Sequence, residues 1–101
     1  MPSFRVQLNI LGLRAGHPPE AVMDTAEAAL ATRHHVEAKQ LDIVAGVPRI
    51  TLRFTVEEEE HDADARAARS AAAVMRAEVE QVAQTQRLVV LRRIRGRWSP
   101  V

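Results

Sequence analysis

Imidazole and carboxylate side chains occur in two stretches of this 101-residue sequence. His34 and His35 follow the first helical pattern, while four glutamates, His61 and Asp62 stand at the start of the second. Both stretches are predicted to reach the same end of the fold, and imidazole nitrogens and carboxylate oxygens bind divalent metals. The sequence therefore suggests a metal site formed by His34, His35, His61 and Glu58. The alternative is that the acids only favour the helix macrodipole, since neither a His-x-His nor an HExxH spacing is present.

A second candidate site is the glycine-containing loop over residues 12–17, which precedes the first helical pattern. Backbone N–H groups at a helix amino terminus and a nearby guanidinium could hold a carboxylate or a phosphate. The predicted anion-binding residues are Gly12, Arg14, Gly16 and His17. The other interpretation is an ordinary connection that carries one exposed arginine.

Catalytic motifs are absent from the sequence. It contains no cysteine, which excludes disulfides and thiolate chemistry. Ser3, Ser70 and Ser99 lack the context of a nucleophile elbow, and there is no P-loop or dinucleotide fingerprint. We therefore expect no catalytic residues and no cofactor, and a role in binding or assembly.

The elements that must position these residues follow from hydrophobic periodicity. Strict alternation predicts a first strand over about residues 3–11 and a third strand with Ile50, Leu52 and Phe54 facing inward. Two helices are predicted from apolar stripes, one from Pro18 to near Thr32 and one over residues 65–82. A polar second strand at residues 36–44, a turn at 45–48, a fourth strand at 87–95 and a tail at 96–101 complete the prediction.

This element order resembles the ferredoxin-like βαββαβ plait, an α+β fold. The resemblance implies one domain over residues 1–101, with a four-stranded antiparallel sheet in the order 4-1-3-2 and both helices on one face. The predicted core is Val6, Leu8, Leu52, Phe54, Met75 and Val79. Within such a fold, the loop over residues 12–17 is similar in position to the ligand loop of ACT domains, which are regulatory modules. It lacks the acidic residue and the Pro-Gly step usual there.

Strand four is apolar on both sides, which predicts a partner for the sheet face turned away from the helices. Val89 and Leu91 would lie on this open face, so we expect a homodimer with both residues in its interface. The alternative is that the tail folds back and covers them with Trp98. Nucleic acid is disfavoured as a partner, because the predicted orientation of Phe4 and Phe54 leaves no stacking rings on the central strands.

Three classes of function stay open at this point. The leading hypothesis is a small regulatory or ligand-binding module, which a pocket at the first loop would favour. The alternatives are an RNA-binding protein that uses basic residues on the open face, and a small dimeric-barrel enzyme.

No apolar run approaches membrane-spanning length, and no secretory signal precedes the first strand, so a cytoplasmic protein is expected.

Overall fold

The computed structural model describes residues 1–57 and 60–101, which form a five-stranded antiparallel sheet and two helices. The elements in chain order are β1 (Ser3–Leu13), α1 (Glu20–Ala31), β2 (His35–Val44), β3 (Val47–Thr55), α2 (His61–Val79), β4 (Ala83–Ile94) and β5 (Arg97–Pro100). The order of strands across the sheet is β2-β3-β1-β4-β5. Neither described helix is long and apolar enough to cross a membrane.

The sheet has one strand more than the sequence predicts. The first four strands are neighbours in the predicted order, with β1 and β3 paired at the centre. The predicted four-stranded sheet is wrong, because residues 97–100, predicted as part of a tail, form β5 and pair antiparallel with β4. β5 therefore covers the outer edge of residues 91–94 of β4.

Two tight hairpins set the register of the outer strands. Ala45 and Gly46 connect β2 to β3, and Arg95 and Gly96 connect β4 to β5, with positive φ at all four residues. Two-residue loops with positive φ at both positions match the twist of antiparallel strands. Glycine adopts this conformation freely at the second position, whereas an alanine or arginine at the first position is strained.

The core lies between the sheet and the two helices, which pack against each other on one face. Alternate residues of β1 and β3 point into it, and the alanine-rich stripe of α2 packs against them. The predicted core is confirmed, since the side chains of Val6, Leu8, Leu52, Phe54, Met75 and Val79 are fully buried. The helices therefore cover one face of the sheet, and the other face is open.

Candidate functional site

An apolar groove of about 500 Å³ lies at the end of β1, between α1 and the β2–β3 hairpin. Its lining includes Ile10, Leu13, Met23, Leu41, Ile43 and Pro48. Small-molecule sites in proteins usually have volumes of about 300–1,000 Å³ and mostly apolar walls. The groove therefore has the size and the chemistry of a ligand site.

The groove exists because the first helix is shorter than the strand beneath it. α1 has 12 residues and β2 has 10, which correspond to lengths of about 18 Å and about 33 Å at the usual rise per residue. Leu41 and Ile43 lie opposite Ile50 and Pro48 of β3, on the helix side of the sheet. They are nevertheless 62% and 65% exposed, because α1 does not cover the end of the hairpin.

The polar atoms at the groove are few and already paired. Lys39 lines the groove, and its Nζ lies 3.1 Å from a carboxylate oxygen of Glu27 on α1. Gln40, the other polar lining residue, donates from Nε2 to both carboxylate oxygens of Asp42. Apolar contact is thus the main interaction that this groove offers a ligand.

The predicted anion loop is only partly associated with this groove. Gly12 lines it, while Arg14 turns away and donates from Nε to the carbonyl of Glu80 at the end of α2. The backbone N–H of Arg14 also donates to Val82, which fastens the loop to the start of β4. Gly16 and His17 are exposed in the turn that follows. Only Gly12 of the four predicted residues therefore belongs to the groove.

The amino terminus of α1 offers fewer free donors than the sequence suggests. Pro18 and Pro19 have no backbone N–H, and the N–H groups of Ala21 and Val22 donate to their carbonyls. The guanidinium of Arg14 is engaged by the carbonyl of Glu80. The anion site stays a prediction.

The described predicted metal ligands, His34, His35 and His61, lie at the end of the sheet opposite the groove. His35 pairs with Thr55 at the end of β3, and His61 is the first residue of α2. No group of three histidine or acidic side chains suited to a metal ion occurs within residues 1–57 and 60–101. Glu58 lies outside the described residues, so the metal site stays a prediction.

His34 packs against the core. Its ring lies 5.6 Å from the ring of Phe54, and burial together with the nearby Arg33 guanidinium lowers the pKa of His34. Both effects favour the neutral imidazole. The His34 ring therefore packs against Phe54 of the core.

The open face of the sheet carries one aromatic side chain, Trp98, as in the alternative in which the tail folds back. Trp98 on β5 lies opposite Arg93, and its ring centre is 4.2 Å from the guanidinium carbon of Arg5 and 5.5 Å from that of Arg53. Such cation–π contacts stabilise both partners. Both phenylalanines are buried on the helix side, so Trp98 is the only Phe, Tyr or Trp ring on this face. Binding of nucleic acid there is not tested by the structure.

The predicted dimer residues lie on the open face but are not among its exposed side chains. Val89 pairs with Gln7, and Leu91 pairs with Arg5 on one side and Pro100 on the other. Both are half-buried. The dimer through Val89 and Leu91 stays a prediction, and β5 lies beside Leu91 but not beside Val89.

The exposed apolar residues of β2 were missed by reasoning from the sequence. Lys39, Gln40 and Asp42 made the strand appear polar. The available signal was the alternation of Leu41 and Ile43 with Gln40 and Asp42, which places two large apolar residues on one face.

In comparison with known proteins, no family model, no curated protein and no solved structure matches this chain.

Proposed function

We propose that this protein is a non-catalytic binding module that accepts an apolar small molecule in the groove at the end of β1. The observation that carries the proposal is the volume of about 500 Å³ lined by apolar side chains from four elements, β1, α1, β2 and β3. The position supports the ligand-binding hypothesis, because Gly12 and Leu13 link the groove to the first loop. A neutral ligand fits best, since the ammonium of Lys39 is paired with Glu27.

Binding in place of catalysis is supported by the residues that line the groove. They include two polar side chains, Lys39 and Gln40, and both have partners. General acid–base or nucleophilic catalysis needs a polar group directed at the substrate. An apolar lining instead holds a ligand by excluding water from its surface.

For the fold, we propose a ferredoxin-like βαββαβ unit to which β5 has been added. The neighbour order of the first four strands and the position of both helices on one face support this proposal. The plait hosts many unrelated functions, so the proposed function rests on the groove and not on the fold.

The first prediction tests the groove with the neutral dye N-phenyl-1-naphthylamine, which fluoresces in apolar sites. We expect saturable binding at one dye per chain. Leu13→Asp should weaken the binding more than tenfold, because a carboxylate in the groove must lose its hydration when the dye enters. Fluorescence titration measures the dissociation constant.

Ile94→Asp is the matched control. Ile94 is 42% exposed and Leu13 is 43% exposed, both lie near strand ends, and Ile94 is not part of the groove. The control should bind the dye as the unmodified chain does. An absence of saturable binding, or an equal loss in both variants, would show that the groove is not a ligand site.

A further inference from the structure

The outer edge of β2 has no partner strand among the described residues. β2 stands at one end of the strand order, and a bulge between Val36 and Ala38 interrupts its start. The seven residues from Ala38 to Val44 are regular, each paired directly with a residue of β3. Protein sheets commonly protect such edges with proline, lysine or bulges. The regular part of β2 contains no proline and two charged residues, Lys39 and Asp42.

Apolar side chains are exposed along the same part of β2. Leu41 and Ile43 are more than 60% exposed on the helix side, and Val44 is 40% exposed. Leu11 and Leu13, at the end of β1, line the same groove as Leu41 and Ile43, so these four side chains form one exposed apolar surface on the helix side. Val44 pairs with Val47 and lies on the open face.

We propose that β2 pairs antiparallel with β2 of a second copy of this chain, around a two-fold axis perpendicular to the sheet. The pairing would join the two sheets into one of ten strands, with all four helices on the same side. It supplies hydrogen-bond partners for the free edge and covers the exposed leucine and isoleucine at the same time.

The sequence of β2 selects one register for this pairing. A two-fold axis perpendicular to the sheet makes the residue on the axis face its own copy. With Leu41 on the axis, Ala38 faces Val44 of the other copy, so the whole regular segment is paired. On the open face, the amide of Gln40 then faces the carboxylate of Asp42 in both symmetry-related positions.

Registers with the axis at Lys39, Gln40 or Asp42 are less favourable, because they bring like charges together or pair fewer residues. An axis at Lys39 places two ammonium groups opposite each other, and an axis at Asp42 does the same with two carboxylates. Like charges directly opposite each other destabilise a strand pair. An axis at Gln40 pairs directly only residues 38–42 and leaves Ile43 beside Glu37, next to the bulge.

The pairing also changes the groove, because the second copy contributes to it. Leu41 lines the groove and stands on the proposed axis, so Leu41 of the other copy would extend the apolar wall. The two grooves would then lie side by side on the helix side of the joined sheet. The inference does not depend on ligand binding, since the oligomeric state is measured without a ligand.

The second prediction uses the absence of cysteine from this chain to test the register. Opposite residues of an antiparallel pair have Cα atoms about 4.5–5.5 Å apart, a distance that a disulfide spans. Leu41→Cys should therefore form a covalent dimer under mild oxidation. Ile43→Cys should not, because the two introduced thiols would be offset by four residues, about 13 Å along the strand.

A mixture provides the decisive comparison. Lys39→Cys and Ile43→Cys should each stay uncrosslinked alone and form a disulfide when mixed, because residue 39 faces residue 43 of the other copy in this register. Non-reducing gel electrophoresis and mass spectrometry measure the products. Crosslinking of Ile43→Cys with itself, or no crosslinking in the mixture, would overturn the register.

Light scattering tests the association itself. The unmodified chain should have about twice its mass of 11.2 kDa at micromolar concentration. Leu41→Lys should be monomeric, because it places two ammonium groups on the axis. Ile94→Lys is the control and should stay dimeric, because β4 lies two strands away from β3 and far from the edge formed by β2. A monomeric unmodified chain, or dimers that survive Leu41→Lys, would overturn the proposal.

Discussion

At the scale of single residues, the main buried polar contact joins α2 to β4. Arg92 and Asp64 are 8% and 2% exposed, and an Nη of Arg92 lies 3.6 Å from a carboxylate oxygen of Asp64. Arg92 also donates to the carbonyl of His61 and lies over the ring of Phe4. The guanidinium therefore connects the start of α2 with two neighbouring strands.

The third prediction concerns this ion pair. Asp64→Asn should lower the free energy of unfolding by about 3 kcal/mol, because it leaves the charge of Arg92 buried without its carboxylate. Urea denaturation followed by circular dichroism measures the change. Asp62→Asn, in the same helical turn but exposed, should change stability by less than about 0.5 kcal/mol.

A double variant separates the buried charge from other contacts of Asp64. Arg92→Met combined with Asp64→Asn should be more stable than Asp64→Asn alone, because the unpaired charge has been removed. Equal stabilities of the single and double variants would show that the cost does not come from the charge.

At the scale of elements, prediction from the sequence succeeded where alternation was strict. β1 and β3 were located because apolar residues occupy every second position, and the stripe of α2 was recognised from its spacing. β5 was missed because it has four residues, includes Pro100 and follows a turn in which an arginine adopts positive φ. A short strand at a sheet edge is determined by its neighbour more than by its own sequence.

The fourth prediction uses the two hairpin turns. Ala45→Asn should raise the free energy of unfolding by about 1 kcal/mol, because asparagine tolerates the positive φ that strains alanine. The side chain of Ala45 is exposed, so no packing is lost. Arg95→Asn at the equivalent position should give a similar gain, and thermal and urea denaturation measure both. No gain in either variant would contradict the assignment of strain to these positions.

At the scale of the whole molecule, the two edges of the sheet differ. β5 covers the outer edge of residues 91–94 of β4, and its Trp98 contacts Arg5 across the open face. β2 has no such neighbour among the described residues. The groove beside β2 could not be predicted from the sequence, because it depends on how far α1 extends over the hairpin. The buried Asp64–Arg92 pair was also missed, because it depends on the register between α2 and β4.

The fifth prediction tests the role of β5 in the Leu41→Lys background, where association through β2 is removed. Trp98→Gly with Ser99→Pro should prevent β5 from pairing and expose the edge of β4 beside Leu91. We expect mass to increase with concentration in light scattering, together with a loss of stability on the order of 2 kcal/mol from the half-buried tryptophan. An unchanged mass would show that β5 does not protect the sheet.

The central position of β1 has a consequence for the kinetics of folding. The β2–β3 and β4–β5 hairpins join strands that are adjacent in the chain, so each can form by local contacts. β1 pairs with β3 and β4, which are distant in the sequence, and closing long loops is entropically slow. We therefore expect the two hairpins to form early and the insertion of β1 between them to determine the rate at which the chain reaches its native state.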